Sequence, residues 1–190
     1  MNIEPDDLAT LKSEDGIAFG RFEIAAPARI DSDLGAPGTP LATPDGAVVD
    51  LVRDGSSCVA FRFRVPPDGS FRWALRSGTY EIVRWRGLLR DSPAEKAEAI
   101  LDLRVRFEVA PSAAAAIGAV RFDGSALSVV EPAPDEIARF RAALPGFRGE
   151  AVPRRADALS VSPPVRTVRF MKPGGNGDSC RTASGGPLRA

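Results

Sequence analysis

Residues 59–82 read VAFRFRVPPDGSFRWALRSGTYEI, and this stretch decides the fold. Apolar residues alternate with arginine or alanine on both sides of a Pro-Pro-Asp-Gly turn. A period of two places one set of side chains on one face, as in a half-buried antiparallel strand. Asp-Gly suits a tight turn because glycine tolerates a positive φ and aspartate can hydrogen-bond its own backbone. The stretch therefore predicts successive strands with an inward face of Val59, Phe61, Phe63, Val65, Phe71, Trp73 and Leu75.

The same alternation recurs at residues 103–109, where leucine, valine and phenylalanine alternate with arginine and glutamate. Short strands separated by turn signals at this spacing fit a sandwich or a barrel. We predict a mainly β fold, an antiparallel β-sandwich of about 7–9 strands with one or two short helices. The predicted strands are residues 17–24, 47–53, 58–65, 71–76, 79–86, 103–109, 116–122 and 126–131.

Two segments carry helix signals. Residues 92–95 read Ser-Pro-Ala-Glu, which has the form of a capping box, and Ala97, Ile100 and Leu101 follow. Residues 134–144 begin with proline and two acidic residues, which favour a helix N-terminus, and Pro145-Gly146 ends them. We expect this second helix to pack across the sandwich or to plug one end of it.

The chain of 190 residues suits one domain with appendages. We divide it into an acidic N-terminal arm (1–16), the sandwich with its helix (17–149), a linker with a candidate edge strand (150–170) and a disordered tail (171–190). Within the sandwich, residues 26–46 are rich in proline and glycine and predict a long loop.

Composition sets further bounds. Apolar residues make up 44% and charged residues 26%, enough for a real core, and the formal net charge is zero. Arginine far outnumbers lysine, which with the alanine and proline content indicates a GC-rich bacterial genome. The acidic N-terminus lacks an apolar segment, and no stretch is long and apolar enough for a membrane helix. We therefore expect a cytoplasmic chain as given, or an envelope or periplasmic protein if the true start lies upstream.

The chain has no histidine, and this excludes the usual chemistry of several site types. Nucleophilic sites built on a histidine base lose that base, and transition-metal sites lose their commonest ligand. We expect no cofactor and no metal, although Asp31, Asp33 and Asp45 offer oxygen ligands for calcium. Cys58 and Cys180 are compatible with a disulfide or with two thiols. The acidic candidates for a carboxylate-dependent hydrolase are Asp50, Asp54, Glu81 and Glu108, of which the two glutamates are expected on solvated strand faces.

Arginines cluster between residues 58 and 90, a segment that contains seven arginines and only two acidic residues. If the strands pair as predicted, several of these arginines share one exposed sheet face, with Trp85 close by. Such a face suits phosphate, sulfate or carboxylate groups on an anionic polymer. Zero net charge and few aromatic residues argue against nucleic acid. The candidate anion-binding residues are Arg62, Arg64, Arg72, Arg84 and Arg86.

The segment 68–82, DGSFRWALRSGTYEI, resembles the core hairpin of carboxypeptidase regulatory-like and transthyretin-like sandwich modules. Those families show a turn, an inward Phe, a Leu, and then Gly-x-Tyr with a β-branched residue. Phe71, Leu75, Tyr80 and Ile82 fill these places, whereas the usual pair of prolines before the glycine is Arg76-Ser77 here. A fainter likeness, in the order of the later strands and helix, extends to bacterial envelope lipoproteins of unknown function. The resemblance implies an immunoglobulin- or transthyretin-like sandwich and a non-catalytic role, often at the cell envelope.

These observations favour a non-catalytic binding or accessory module whose partner is another protein, a polysaccharide or an envelope component. Two alternatives stay open at this point. One is an anion-binding module that uses the arginine-rich face, and the other is a small carboxylate-dependent hydrolase.

Overall fold

The computed structural model describes residues 2–26, 36, 38–54, 59–90, 95–162 and 165–170. Two β-sheets form a sandwich that is not closed into a barrel, so the predicted fold class is confirmed. All eight predicted strands are present, and the fifth and sixth are markedly longer than predicted. No helix in the described part of the chain is long and apolar enough to cross a membrane.

A 3₁₀ helix spans Pro5–Thr10 and helix α1 spans Pro134–Ala143. The strands are β1 (Asp15–Ile24), β2 (Ala47–Arg53), β3 (Val59–Val65), β4 (Ser70–Arg76), β5 (Gly78–Arg90), β6 (Glu95–Val109), β7 (Ala114–Phe122), β8 (Leu127–Val130), β9 (Ala151–Pro153), β10 (Ala156–Val161) and β11 (Val165–Phe170).

The small sheet has the strand order β4-β1-β7-β8, and β9 also pairs with β7. The large sheet has the order β10-β6-β5-β2-β3, and β11 also pairs with β6. The sandwich was predicted to be antiparallel, but the β1–β7 and β7–β9 pairs are parallel. The strands β1 and β7 lie far apart in sequence, and local alternation does not reveal the direction of such a pair.

Tyr80 secures the crossing of the chain from the small sheet to the large sheet between β4 and β5. Its hydroxyl donates a hydrogen bond to the carbonyl oxygen of Arg76 at 2.8 Å. Burial raises the pKa of Tyr80 above its ordinary value, so the hydroxyl keeps its proton to a more alkaline pH than a free tyrosine does. A tyrosine that bonds to upstream backbone secures corners in other sandwiches too. Phe71, Leu75 and Ile82 are buried in the same core between the sheets, which confirms their predicted inward orientation.

Helix α1 covers the outer face of the small sheet and does not plug an end of the sandwich. Its buried Phe140 stacks on Phe19 of β1, with ring centroids 4.1 Å apart. Ala114 and Ala116 of β7 are buried beneath the helix, while Val120 of the same strand lies in the core between the sheets. Because β7 is covered on both sides, its sequence is almost continuously apolar.

The predicted helix after residue 92 is wrong for its described part, because Glu95–Val109 form strand β6. Ala99, Leu101 and Leu103 are buried and continue the alternation of residues 103–109 backwards. Strand β5 pairs with β6 along its length, as far as Arg90 opposite Lys96. Tertiary pairing and core burial override the local capping signal here.

Strand β3 is more exposed than its alternation predicts. Val65 is buried, but Val59 is 44% exposed and Phe61 is 37% exposed. Phe63 is half-buried and stacks on Trp73 at a centroid distance of 4.9 Å. The cause is position, because β3 is an edge strand of the large sheet within the described residues.

The predicted linker also contains strands, since β9 and β10 lie within residues 150–164. The candidate edge strand at 165–170 is present as β11. The predicted acidic arm contains the 3₁₀ helix, and its Ile3 is buried against the small sheet. The predicted tail at 171–190, both cysteines and part of the predicted loop at 26–46 lie outside the described residues.

Candidate functional site

Four of the five predicted anion-binding arginines lie on the outer face of the large sheet. We call this surface the arginine face, and it comprises Arg62, Arg64, Arg84, Arg86, Arg104 and Arg106. One predicted member, Arg72, is absent from it, and Trp85, which was predicted to lie close by, is not exposed there. Arg72 belongs to β4 of the small sheet, where it pairs with Glu4 at 3.1 Å, and Trp85 is buried on the inner side of β5.

Asp50 lies beneath the arginine face and is bound by two of its arginines. The Nε of Arg62 donates to Asp50 Oδ1 at 2.7 Å, and Nη2 of Arg86 donates to the same oxygen at 3.2 Å. The carboxylate is almost fully buried, with 3% of the side chain exposed. A buried charge of this kind requires such pairing, because an isolated carboxylate is strongly disfavoured away from water.

Glu81 is held in the same way by Arg104 and Arg106. Each guanidinium donates through Nε and Nη2 to one carboxylate oxygen, at 2.9 and 2.5 Å from Arg104 and at 3.2 and 2.8 Å from Arg106. Burial raises the pKa of Glu81, but the hydrogen bonds and charges of the two arginines outweigh it, so the pKa lies below its ordinary value. The side chain lies on the outer face of the sheet, as predicted, but the two arginines cover it, so it is buried and not solvated.

These contacts bear directly on the hydrolase alternative. A general acid near neutral pH needs a raised carboxyl pKa, whereas that of Glu81 is lowered. Asp50 accepts hydrogen bonds from two arginines, and Asp54 and Glu108 are exposed. Asp50 and Glu81 are therefore engaged by arginine and are not held in the apolar surroundings that a general acid needs. Among the described residues, no three acidic or cysteine side chains form a group that could hold a metal ion; Asp31 and Asp33 lie outside them.

A cavity of about 450 Å³ lies at one end of the sandwich, beside the turn that joins β3 to β4. We call it the end cavity. Its volume falls in the range of small-molecule sites. Its lining comes from the last residues of β1, β3 and β7, the first residue of β2, and residue 85 of β5. Residues of the segment 38–43 before β2 and of the turn 66–69 complete it. The large apolar lining residues are Phe22, Ile24, Leu41, Val65, Trp85 and Phe122.

Four charged residues also line the end cavity. Arg121 is bound to Glu23, with Nη2 to Oε2 at 2.6 Å. Asp68 accepts hydrogen bonds from the backbone and hydroxyl of Ser70. Asp123 accepts from the backbone of residues 125 and 126, and these bonds hold its pKa below the ordinary value.

No protein-family model, curated protein or solved structure matches this chain. Nothing in these comparisons identifies a carboxypeptidase regulatory-like or transthyretin-like module. That resemblance, and the bacterial and envelope associations that go with it, therefore stay predictions.

Sequence reasoning found most of the arginine face and missed the end cavity. The buried state of Asp50 and Glu81 had a usable signal, because arginines stand opposite them on neighbouring predicted strands. The end cavity had none. Its lining residues run from Phe22 to Phe122 along the chain and share no motif.

Proposed function

We propose that this chain is a non-catalytic binding module that takes an apolar part of its ligand into the end cavity. The observation that carries the proposal is the 450 Å³ space walled by aromatic and aliphatic side chains from both sheets. Well-formed apolar pockets with a few polar groups at their rim are the usual form of a ligand site. The environments of Asp50 and Glu81 support a role without acid–base chemistry.

A neutral apolar dye tests this proposal. We expect N-phenylnaphthylamine, whose fluorescence rises in apolar surroundings, to bind saturably with one dye per chain. Thr43 is a partly buried lining residue, so Thr43→Trp fills part of the cavity and is expected to weaken binding at least tenfold. Thr10→Trp places the same side chain at an exposed position of the 3₁₀ helix and should leave binding unchanged.

The proposal is overturned if the folded protein does not bind the dye saturably. It is equally overturned if Thr43→Trp, folded by its far-ultraviolet spectrum, binds the dye as tightly as the unmodified chain and Thr10→Trp do.

A second candidate function is anion binding on the arginine face. The observation in its favour is that two guanidinium groups share each buried carboxylate, so each group of three carries an excess positive charge. The side chains of Arg62 and Arg104 are both 56% exposed and retain free N–H donors for an outside anion.

Heparin chromatography tests this second candidate. Arg64 forms no ion pair among the described residues, so Arg64→Glu reverses a charge of the face without breaking a contact there. We expect earlier elution for Arg64→Glu and no change for Arg141→Glu, which reverses an exposed charge on α1. If the unmodified protein is not retained on heparin even at salt concentrations below about 0.1–0.3 M, anion binding by this face is excluded.

A further inference from the structure

The geometry points to a cationic ligand for the end cavity, namely a small molecule with an aromatic or aliphatic body and an amine or quaternary ammonium head. This inference rests on the proposed function, because it specifies the ligand of the same site. It follows from the charges at the rim, from how each is compensated, and from the aromatic walls.

The charges at the rim are mostly negative. Three carboxylates, those of Glu23, Asp68 and Asp123, line the cavity together with one cation, Arg121. The guanidinium of Arg121 is bound to Glu23 by Nε at 2.7 Å and by Nη2 at 2.6 Å. Glu23 also pairs with Arg21 at 2.8 Å, and Arg21 pairs in turn with Glu136 at 3.3 Å. The one positive group among the described lining residues therefore belongs to a balanced set of two arginines and two glutamates.

The other two carboxylates are held by neutral donors. Asp68 accepts from the Ser70 backbone N–H at 3.1 Å and from its hydroxyl at 2.9 Å. Asp123 accepts from the backbone of Ser125 at 2.8 Å and of Ala126 at 2.9 Å. These bonds fix the carboxylates in place but leave their charge, and neither forms an ion pair with a described residue. Both are exposed, and they place negative charge at the edge of the apolar space.

The walls suit a cation as well. Trp85, Phe22 and Phe122 line the cavity, and the face of an aromatic ring attracts an alkylammonium group, most strongly in tryptophan. A ligand whose apolar body fills the cavity would bring its head to the rim carboxylates. An anionic head on the same body would meet repulsion at the same place. The site is therefore expected to discriminate by charge as well as by shape.

Three probes with the same body and different heads test the inference, namely phenylbutylamine, phenylbutanol and phenylbutyrate. Each competes with N-phenylnaphthylamine for the unmodified protein in low-salt buffer. We expect the amine to displace the dye about tenfold more effectively than the alcohol, and the carboxylate to be the weakest. The double variant Asp68→Asn/Asp123→Asn should bind amine and alcohol alike. The control Glu108→Gln/Glu131→Gln removes two exposed charges away from the cavity and should keep the preference.

The outcomes separate the two proposals. If the alcohol displaces the dye as well as the amine does, the cationic preference is wrong while the cavity remains a ligand site. If the dye itself does not bind, the proposed function fails and this inference with it. If a short peptide of alternating phenylalanine and lysine displaces the dye far better than the amine, the small-molecule ligand is wrong and the cavity receives a protein side chain.

Discussion

At the scale of single residues, the arginines of the arginine face first of all stabilise two buried carboxylates. Asp50 and Glu81 each have two guanidinium partners, and each is less than one-tenth exposed. Bidentate arginine–carboxylate contacts are among the stronger hydrogen bonds in proteins. The alternation of arginine with apolar residues therefore has a structural role before any role in binding.

Replacing Glu81 tests that structural role. Glu81→Gln removes the charge that Arg104 and Arg106 share, but both guanidinium groups are about half exposed and can be hydrated. We expect the free energy of unfolding to fall by roughly 1–3 kcal/mol, measured by urea denaturation. The matched Glu108→Gln, at an exposed position on the outer face of the neighbouring strand β6, should change it by less than about 0.5 kcal/mol. Equal effects of the two variants would contradict this role.

Glu81 also predicts how stability depends on pH. Its folded pKa is lowered from the ordinary value of 4.5, so the folded state binds the proton less readily than the unfolded chain does. The stabilisation is fully present above that value and is lost as the pH falls through the folded pKa. Urea midpoints measured from neutral pH into this acidic range should fall less steeply in Glu81→Gln than in the unmodified protein. Parallel slopes would show that Glu81 titrates alike in both states.

At the scale of elements, helix α1 and strand β6 show what local sequence can and cannot predict. The helix at residues 134–144 carries its own start and stop signals, and the structure has it at Pro134–Ala143. The start of β6 carries a false helix signal and is a strand because β5 pairs with it. That partner is specified by the whole hairpin, which a window of a few residues does not contain.

Phe140 is the anchor of α1 and gives a test of the element. Its ring stacks on Phe19 and meets Phe147 edge-on at 5.7 Å. Phe140→Ala should destabilise the fold by about 3–5 kcal/mol, as judged by thermal or urea unfolding. Arg141→Ala changes the next, exposed residue and should cost less than about 0.5 kcal/mol. A loss below about 1 kcal/mol for Phe140→Ala would mean that the helix is not anchored by this contact.

At the scale of the whole molecule, the alternation of apolar and polar residues predicted the two-layer architecture. The proposed function could be inferred only from the folded chain, in which residues distant in sequence line one cavity. Trp85 shows the difference. Its place in an alternating strand marks it as either inward or outward, but only the folded chain brings it to the same cavity as Phe22 and Phe122. Likewise Asp68 and Asp123 read as turn residues in the sequence, and they become a negatively charged rim only where the two sheets end together.

The most direct test of the central claim is a crystal structure of the full chain with phenylbutylamine bound. The account predicts electron density for one molecule in the end cavity, with its ring between Trp85 and Phe122 and its amine nearest to Asp68 and Asp123. A structure in which the chain's own side chains fill that space, or in which the amine binds only elsewhere on the surface, would contradict it.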